Sequence, residues 1–541
     1  MSFSDTLRPI FTRRGILLVS VALIGGLIWV LHFILEFSIL IRLTPEGVSF
    51  NPIFILPHIA MVPLGSIFYL SVSSRWKPFK ALFPNVTAIT IVFILMVYTP
   101  YLGELETVPY TLDPLFILYM ILLGIAGFGI GSILAPLMLI SKPYLKKVEY
   151  NGRIYSFATA FLSPIVILGT WLDGMNNPSL LAMYFLVLYV AIAILLIDGR
   201  DNLNELPPRC SNIRSFLRHR DLWPSILLMF FVGFFFTNTY LASVILLDYS
   251  NNLGNLNTFV IVLFSVCILA TVPCGILFDK IGRRWTLLIG FYSQAIAFLL
   301  LSFFPPMQYP VMLEIVFPAV IAFGFTIAIF GALLVSLELA PRGFFRVHQG
   351  ISWVLFGIGM VAGVITDLAL YPLITVSPAY LPLVLIFALF TATIIVLQLK
   401  ETLPSKEELE WKRKVEHLLV LSQGGIPMYS ERLSSTPVST EGPDEMLVGG
   451  ALTGITELVK EISQRAGKLK VIQQEGYSII LEEGREVIVA VMALEELDII
   501  REKTQDFLED FQRFFSELIG DWSGDPKIFS PAKELVANHF E

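Results

Sequence analysis

The sequence predicts an all-α membrane bundle of twelve helices followed by a separate cytoplasmic α+β domain. Three observations point there: a composition too apolar for water, twelve apolar runs of membrane-spanning length, and an abrupt change of character near residue 400. Of 541 residues, 55% are hydrophobic and only 15% charged, with a mean hydropathy of +0.74. Soluble proteins usually carry about 25% charged residues. Residues 1 to 399 hold 21 Lys+Arg against 17 Asp+Glu, a net of +4, whereas residues 400 to 541 hold 16 against 27, a net of −11. An acidic module of that kind repels nucleic acid and anionic lipid.

A helix needs about 20 mostly apolar residues to cross the hydrocarbon layer. Such runs lie near residues 15–41, 52–73, 82–100, 114–140, 153–172, 179–198, 222–248, 257–278, 285–304, 310–338, 347–369 and 380–399. The first run is too long for a signal peptide and has no small-residue cleavage site before it. With the N-terminus cytoplasmic, the inside loops carry 20 Lys and Arg residues and the outside loops only Arg42. The positive-inside rule then places both termini in the cytoplasm, in a cell membrane. The longest basic inside loop, 199–221, divides an N-terminal six-helix half (1–198) from a C-terminal six-helix half (222–399).

Between the eighth and ninth runs stands Gly275-Ile-Leu-Phe-Asp279-Lys-Ile-Gly282-Arg283-Arg284-Trp285-Thr286-Leu287-Leu288. Aspartate four residues after a glycine, then glycine and two arginines, resembles the signature loop of the major facilitator superfamily of transporters, and the resemblance extends over about residues 10–400. It implies two six-helix halves rocking around a central cavity, with this loop a cytoplasmic latch. It also implies that Asp279 meets the start of the fifth span, near Arg153. The plainer reading is that Asp279, Arg283 and Arg284 anchor a loop at the membrane surface. The equivalent first-half loop, Ser71-Val-Ser-Ser-Arg75-Trp-Lys77-Pro-Phe-Lys80, keeps basic residues but lacks the aspartate and glycines.

An ionisable group at mid-membrane costs about 2.5–3.5 kcal/mol on insertion scales. His32 and Glu36 share a face of the first span, and His58 opens the second on the same side. They are candidates for proton coupling, since a neighbouring carboxylate strengthens a histidine's hold on its proton. The alternative is that Glu36 and His58 meet water at the outer interface. Asn238 in the seventh run, with Thr237 and Tyr240, and Glu314 in the tenth are candidate substrate groups. Their alternatives are a helix-to-helix hydrogen bond for Asn238 and an interfacial place for Glu314. Asp173, Asp248 and Asp367 fall at outer span ends and are expected to be solvated. Gly350, Gly357, Gly359 and Gly363 in the eleventh run predict close helix packing. Cys210, Cys267 and Cys274 show neither paired spacing nor metal spacing.

After a charged linker, 400–414, the pattern alternates. Residues 415–422 and 426–430 read as strands around a Gly424-Gly425 turn, and 445–464 as a helix with Leu447, Ala451, Ile455, Leu458 and Ile462 on its apolar face. Strands at 469–474, 477–482 and 486–492 follow. A long helix then carries Leu497, Ile500, Phe507, Phe511, Phe514 and Leu518, and a last one covers 531–540. This order resembles longin domains of the profilin-like class over residues 413–541, which implies docking of a small GTPase or another protein at the tail, in a regulatory role. The plainer reading is a domain that only stabilises or dimerises the chain. With no phosphate loop, triad or metal cluster in the sequence, neither an enzyme nor a cofactor is expected. By its resemblance to the major facilitator superfamily, the chain reads as a secondary transporter of a small solute that works by alternating access. The alternative is a membrane receptor or scaffold that recruits a partner through its tail.

Overall fold

The computed structural model describes residues 24–25, 55–72, 78–98, 114–141, 152, 156, 162–175, 177–198, 216, 222–249, 256–303, 311–340, 344–374, 380–403, 410–433, 445–463, 470–474, 476–484, 486–520, 522 and 524–540. The chain divides into two compact units, Met1–Leu403 and Pro404–Glu541.

The first unit is helical. Its described helices are α1 (Leu56–Val72), α2 (Pro78–Tyr98), α3 (Pro114–Ser141), α4 (Leu162–Gly174), α5 (Pro178–Asp198), α6 (Trp223–Tyr249), α7 (Leu256–Lys280), α8 (Arg283–Phe303), α9 (Phe317–Leu339), α10 (Phe345–Ile374) and α11 (Tyr380–Gln398). Among the described residues, five of these helices are long and apolar enough to cross a membrane: α3, α5, α7, α9 with the turn before it, and α10. The first predicted run lies outside the described residues apart from Ile24 and Gly25. Prolines sit inside α1, α2, α3 and α7. Neighbouring helices in a bundle compensate the hydrogen bonds they remove.

Glycine sets how closely the helices approach. On α10, Gly350 faces the Leu70 side chain and Gly357 the Pro63 ring of α1, whereas Gly359 and Gly363 face the α6 backbone at Phe230 and Phe234. A Cβ at Gly359 would run into the Phe230 carbonyl. The glycine-rich run thus packs α10 tightly on two sides, against α1 and against α6. At the α10 N-terminal end, Gln349 Nε2 donates to Ser336 O and Oγ of α9, both at 2.9 Å. His348 Nε2 stands 3.1 Å from Ser225 Oγ of α6.

The second unit holds a five-stranded antiparallel sheet in the order β2-β1-β5-β4-β3. The strands are β1 (Val415–Ser422), β2 (Pro427–Arg432), β3 (Val471–Gln474), β4 (Tyr477–Glu483) and β5 (Val487–Ala493), and the helices α12 (Glu445–Ser463), α13 (Asp498–Phe514) and α14 (Ala532–Phe540). A helical turn, Trp411–Lys414, leads into β1, and Gly425 turns the chain at φ +77°. Both sheet faces are covered, so central strands are apolar at consecutive positions rather than alternating. Leu418 and Val420 point into a core with Phe507, Phe511 and Val536 of α13 and α14, while Leu419 and Leu421 meet Leu452 of α12.

Two apolar faces differ from expectation. On α12 the residues against the sheet are Val448 and Leu452, with Gly449 beside Gly425. Leu447 and Leu458 are exposed, at 72% and 58%. The helix seats its smallest residue where backbones approach, which turns the larger stripe outward. On α13 the helix ends at Phe514, which is exposed, and Phe515 beyond the end turns inward instead. Leu518, expected on the same face, is exposed in the turn that follows, Ser516–Gly520.

Candidate functional site

The signature loop is short because its residues leave no slack. The helix α7 runs to Lys280, Ile281 still donates its N–H to Leu277 O at 2.8 Å, and Gly282 reverses the chain at φ +106°, a conformation that favours glycine. Helix α8 begins at the next residue, with Thr286 Oγ1 donating to Gly282 O at 2.7 Å. The first N–H groups of a helix lack partners within it and carry partial positive charge. Here the Arg283 and Arg284 N–H groups donate to the Glu401 carboxylate at 2.9 and 3.1 Å. Glu401 follows α11, so the end of the bundle caps the start of α8.

Arg283 is 1% exposed and spends its guanidinium on three partners. Nε and Nη2 form a fork on Glu338 of α9, at 3.1 and 2.9 Å. Nη1 donates to Phe278 O at 2.6 Å and to Asp279 Oδ1 at 3.3 Å. Thr402 Oγ1 also donates to Glu338. A buried charge is tolerated when paired and hydrogen-bonded. Burial by itself would weaken the guanidinium's hold on its proton; Glu338 first, then Asp279 and Glu401, more than reverse this and keep it charged. Arg284 points elsewhere, its guanidinium 5.9 Å from the Trp285 ring centre.

Asp279 also reaches a segment 127 residues earlier in the chain. Its Oδ1 accepts the Gly152 N–H at 2.9 Å, and Gly152 lies one residue before Arg153 at the start of the fifth predicted span. The approach depends on Gly275, where a Cβ would meet Ser156 Oγ at 2.6 Å and Gly152 O at 2.8 Å. The contacts of Arg283 and Glu401, by contrast, stay among residues 278–403. Residues 73–77 of the equivalent first-half loop lie outside the described residues.

His32 and Glu36 lie outside the described residues. His58 is buried on α1, where its carbonyl packs at Gly127 of α3, so the protein interior surrounds it rather than interfacial water. Asn238 is buried on α6, donates through Nδ2 to Phe234 O one turn earlier at 2.8 Å, and sits against Gly363 of α10. Its hydrogen bond is therefore within its own helix. Thr237 Oγ1 likewise donates to Gly233 O at 3.3 Å. Glu314 is half-buried in the π-helical turn Met312–Val316 that leads into α9. Asp367 overturns its expectation: it is 0% exposed on α10.

Sequence reasoning missed Glu338 and Glu401, which complete the loop's charge network. Each had a faint signal, an acid at the last turn of the tenth run and an acid just beyond the twelfth. A family profile described as the Major Facilitator Superfamily matches residues 108–364, a little under half of the chain. No curated protein matches the chain.

Proposed function

We propose that the chain is a secondary transporter of a small solute, a member of the major facilitator superfamily that works by alternating access. The observation that carries this reading is the Gly152 N–H to Asp279 hydrogen bond at 2.9 Å, which ties the two halves together at the signature loop. The family match over residues 108–364 supports a membrane transporter.

The geometry divides the labour. Arg283, Glu338, Glu401 and Thr402 bind the ends of α7, α8, α9 and α11 to one another. The second half therefore moves as a block. Asp279 belongs to that block and holds the first half through a neutral backbone donor, a bond worth about 1.5–3 kcal/mol when its acceptor is charged. A contact of that size is breakable in a rocking cycle, while the buried Arg283–Glu338 fork is not. On this reading the Asp279 latch favours the state closed to the cytoplasm. Twelve spans, cytoplasmic termini and a longin-like tail that docks a small GTPase or another protein complete the proposal.

Solute uptake by proteoliposomes across a compound panel tests it, with the full chain and a truncation ending at Leu403. Flux in both forms is the expected result. No flux in either, with partner recruitment by residues 413–541 alone, would assign the receptor reading instead. Orientation is checked with impermeant thiol reagents on sealed right-side-out membranes: Cys210 should stay unlabelled, and Cys267 and Cys274 are buried.

A further inference from the structure

Among the described residues, Asp367 finds no hydrogen-bond partner. It lies on α10, is 0% exposed, and among the described residues neither carboxylate oxygen accepts or donates a hydrogen bond. One turn earlier on the same helix face, Gly363 leaves the space filled by the Asn238 amide of α6. Asn238 is also 0% exposed, and its Oδ1 has no hydrogen-bond partner either, its Nδ2 being spent on Phe234 O. Two buried groups whose oxygens accept no hydrogen bond among the described residues thus stand one helical turn apart along α10. Among the described side chains, the charged and titratable ones on the helices packed against α10 are His58 and Tyr69 of α1, Tyr119 of α3 and Glu338 of α9, with Arg346 and His348 on α10 itself. None bonds to Asp367.

An ionised carboxylate without partner or water is among the costliest groups a protein interior can hold, and structures retain one only when something cationic compensates it. A membrane span sharpens that rule and makes such a residue a functional candidate. We propose that Asp367 is the carboxyl of a buried monovalent-cation site, taking a proton or a sodium ion, with Asn238 Oδ1 as the neighbouring neutral acceptor. The site rests on the transporter reading only for its purpose, as the coupling ion's seat. Its position on α10 suits that purpose: this helix packs through glycines on α1 of the opposite half and on α6 of its own half, so rocking alters the space around it.

The test uses the purified full chain in lipid nanodiscs and compares thermal unfolding of the parent with Asp367→Asn, isosteric and neutral, from acid to alkaline pH, in sodium and in choline buffers. In alkaline choline buffer the parent should melt several degrees below the variant. That gap should close on acidification if the ion is a proton, or on adding sodium at constant pH if it is sodium. A gap that ignores both ions overturns the site. Should the variant fail to accumulate, the parent alone decides. A proton site shows an infrared carbonyl band of a protonated carboxyl persisting where exposed carboxyls are ionised, and a sodium site retains radioactive sodium; neither signal overturns it. Because these are equilibrium readouts, an ion effect without solute flux contradicts only the transport reading. Flux without an ion effect contradicts only the site.

Discussion

Asp279 and Asp367 both fall at the ends of long apolar runs, yet they stand in opposite conditions. Asp279 accepts from Gly152, 127 residues away in the chain, and from Arg283 one turn along. Asp367 is equally hidden and accepts from nothing among the described residues. Burial alone therefore does not define a role. A carboxylate with partners holds structure together, and one without partners is a place for an ion.

The largest effect should follow from attacking the satisfied region. Arg283→Leu leaves Glu338 and Asp279 buried without their cation, at a cost of about 3–5 kcal/mol. The purified protein should melt far below the parent, or fail to accumulate. A parent-like melting point would mean that water reaches the network, and the contrast with Asp367 would dissolve.

Next comes the packing of α10 on α6, about two turns before Asp367 on the same helix. Gly359→Val places a side chain against the Phe230 carbonyl, and overpacking of this kind costs about 1–3 kcal/mol. Besides melting lower, this variant should lose much of the ion dependence expected at Asp367, because α10 parts from α6 and admits water. Retained ion dependence would place the site elsewhere.

Glu401→Gln is milder. It keeps an acceptor at the start of α8 but removes the charge, so stability should fall by about 0.3–1 kcal/mol. High salt should narrow the difference from the parent in a melting experiment, whereas a difference blind to salt would exclude the electrostatic role.

Much of this organisation was legible in the sequence. The tail's strands and helices followed from their periodicities, with strand β1 read at its observed limits, because alternation and turn glycines are local signals. The Gly275–Asp279–Gly282–Arg283 spacing was local too. What stayed hidden depends on distant chain segments. Arg283 lies 55 residues from Glu338 and 118 residues from the Glu401 acceptor on its N–H, and no local pattern links them. Asp367 looked solvated because position along a span says nothing about which neighbours close over it. The outward Leu447 and Leu458 of α12 were misread for a related reason: a helix seated through Gly449 on a two-sided sheet presents its small residues inward.

A stability effect comparable to that of Glu401→Gln should come from Asp279→Asn, about 1 kcal/mol, since the amide still accepts from Gly152 and Arg283 keeps Glu338. Its conformational effect is the most direct probe of all. Spin labels at Lys147 and Lys280, which the proposed topology assigns to opposite halves at the cytoplasmic side, report the distance between them in the full chain without any knowledge of the solute. Alternating access governed by the latch predicts two distance populations in the parent and a shift toward the longer one in Asp279→Asn. A single distance, unmoved by the substitution, would contradict it.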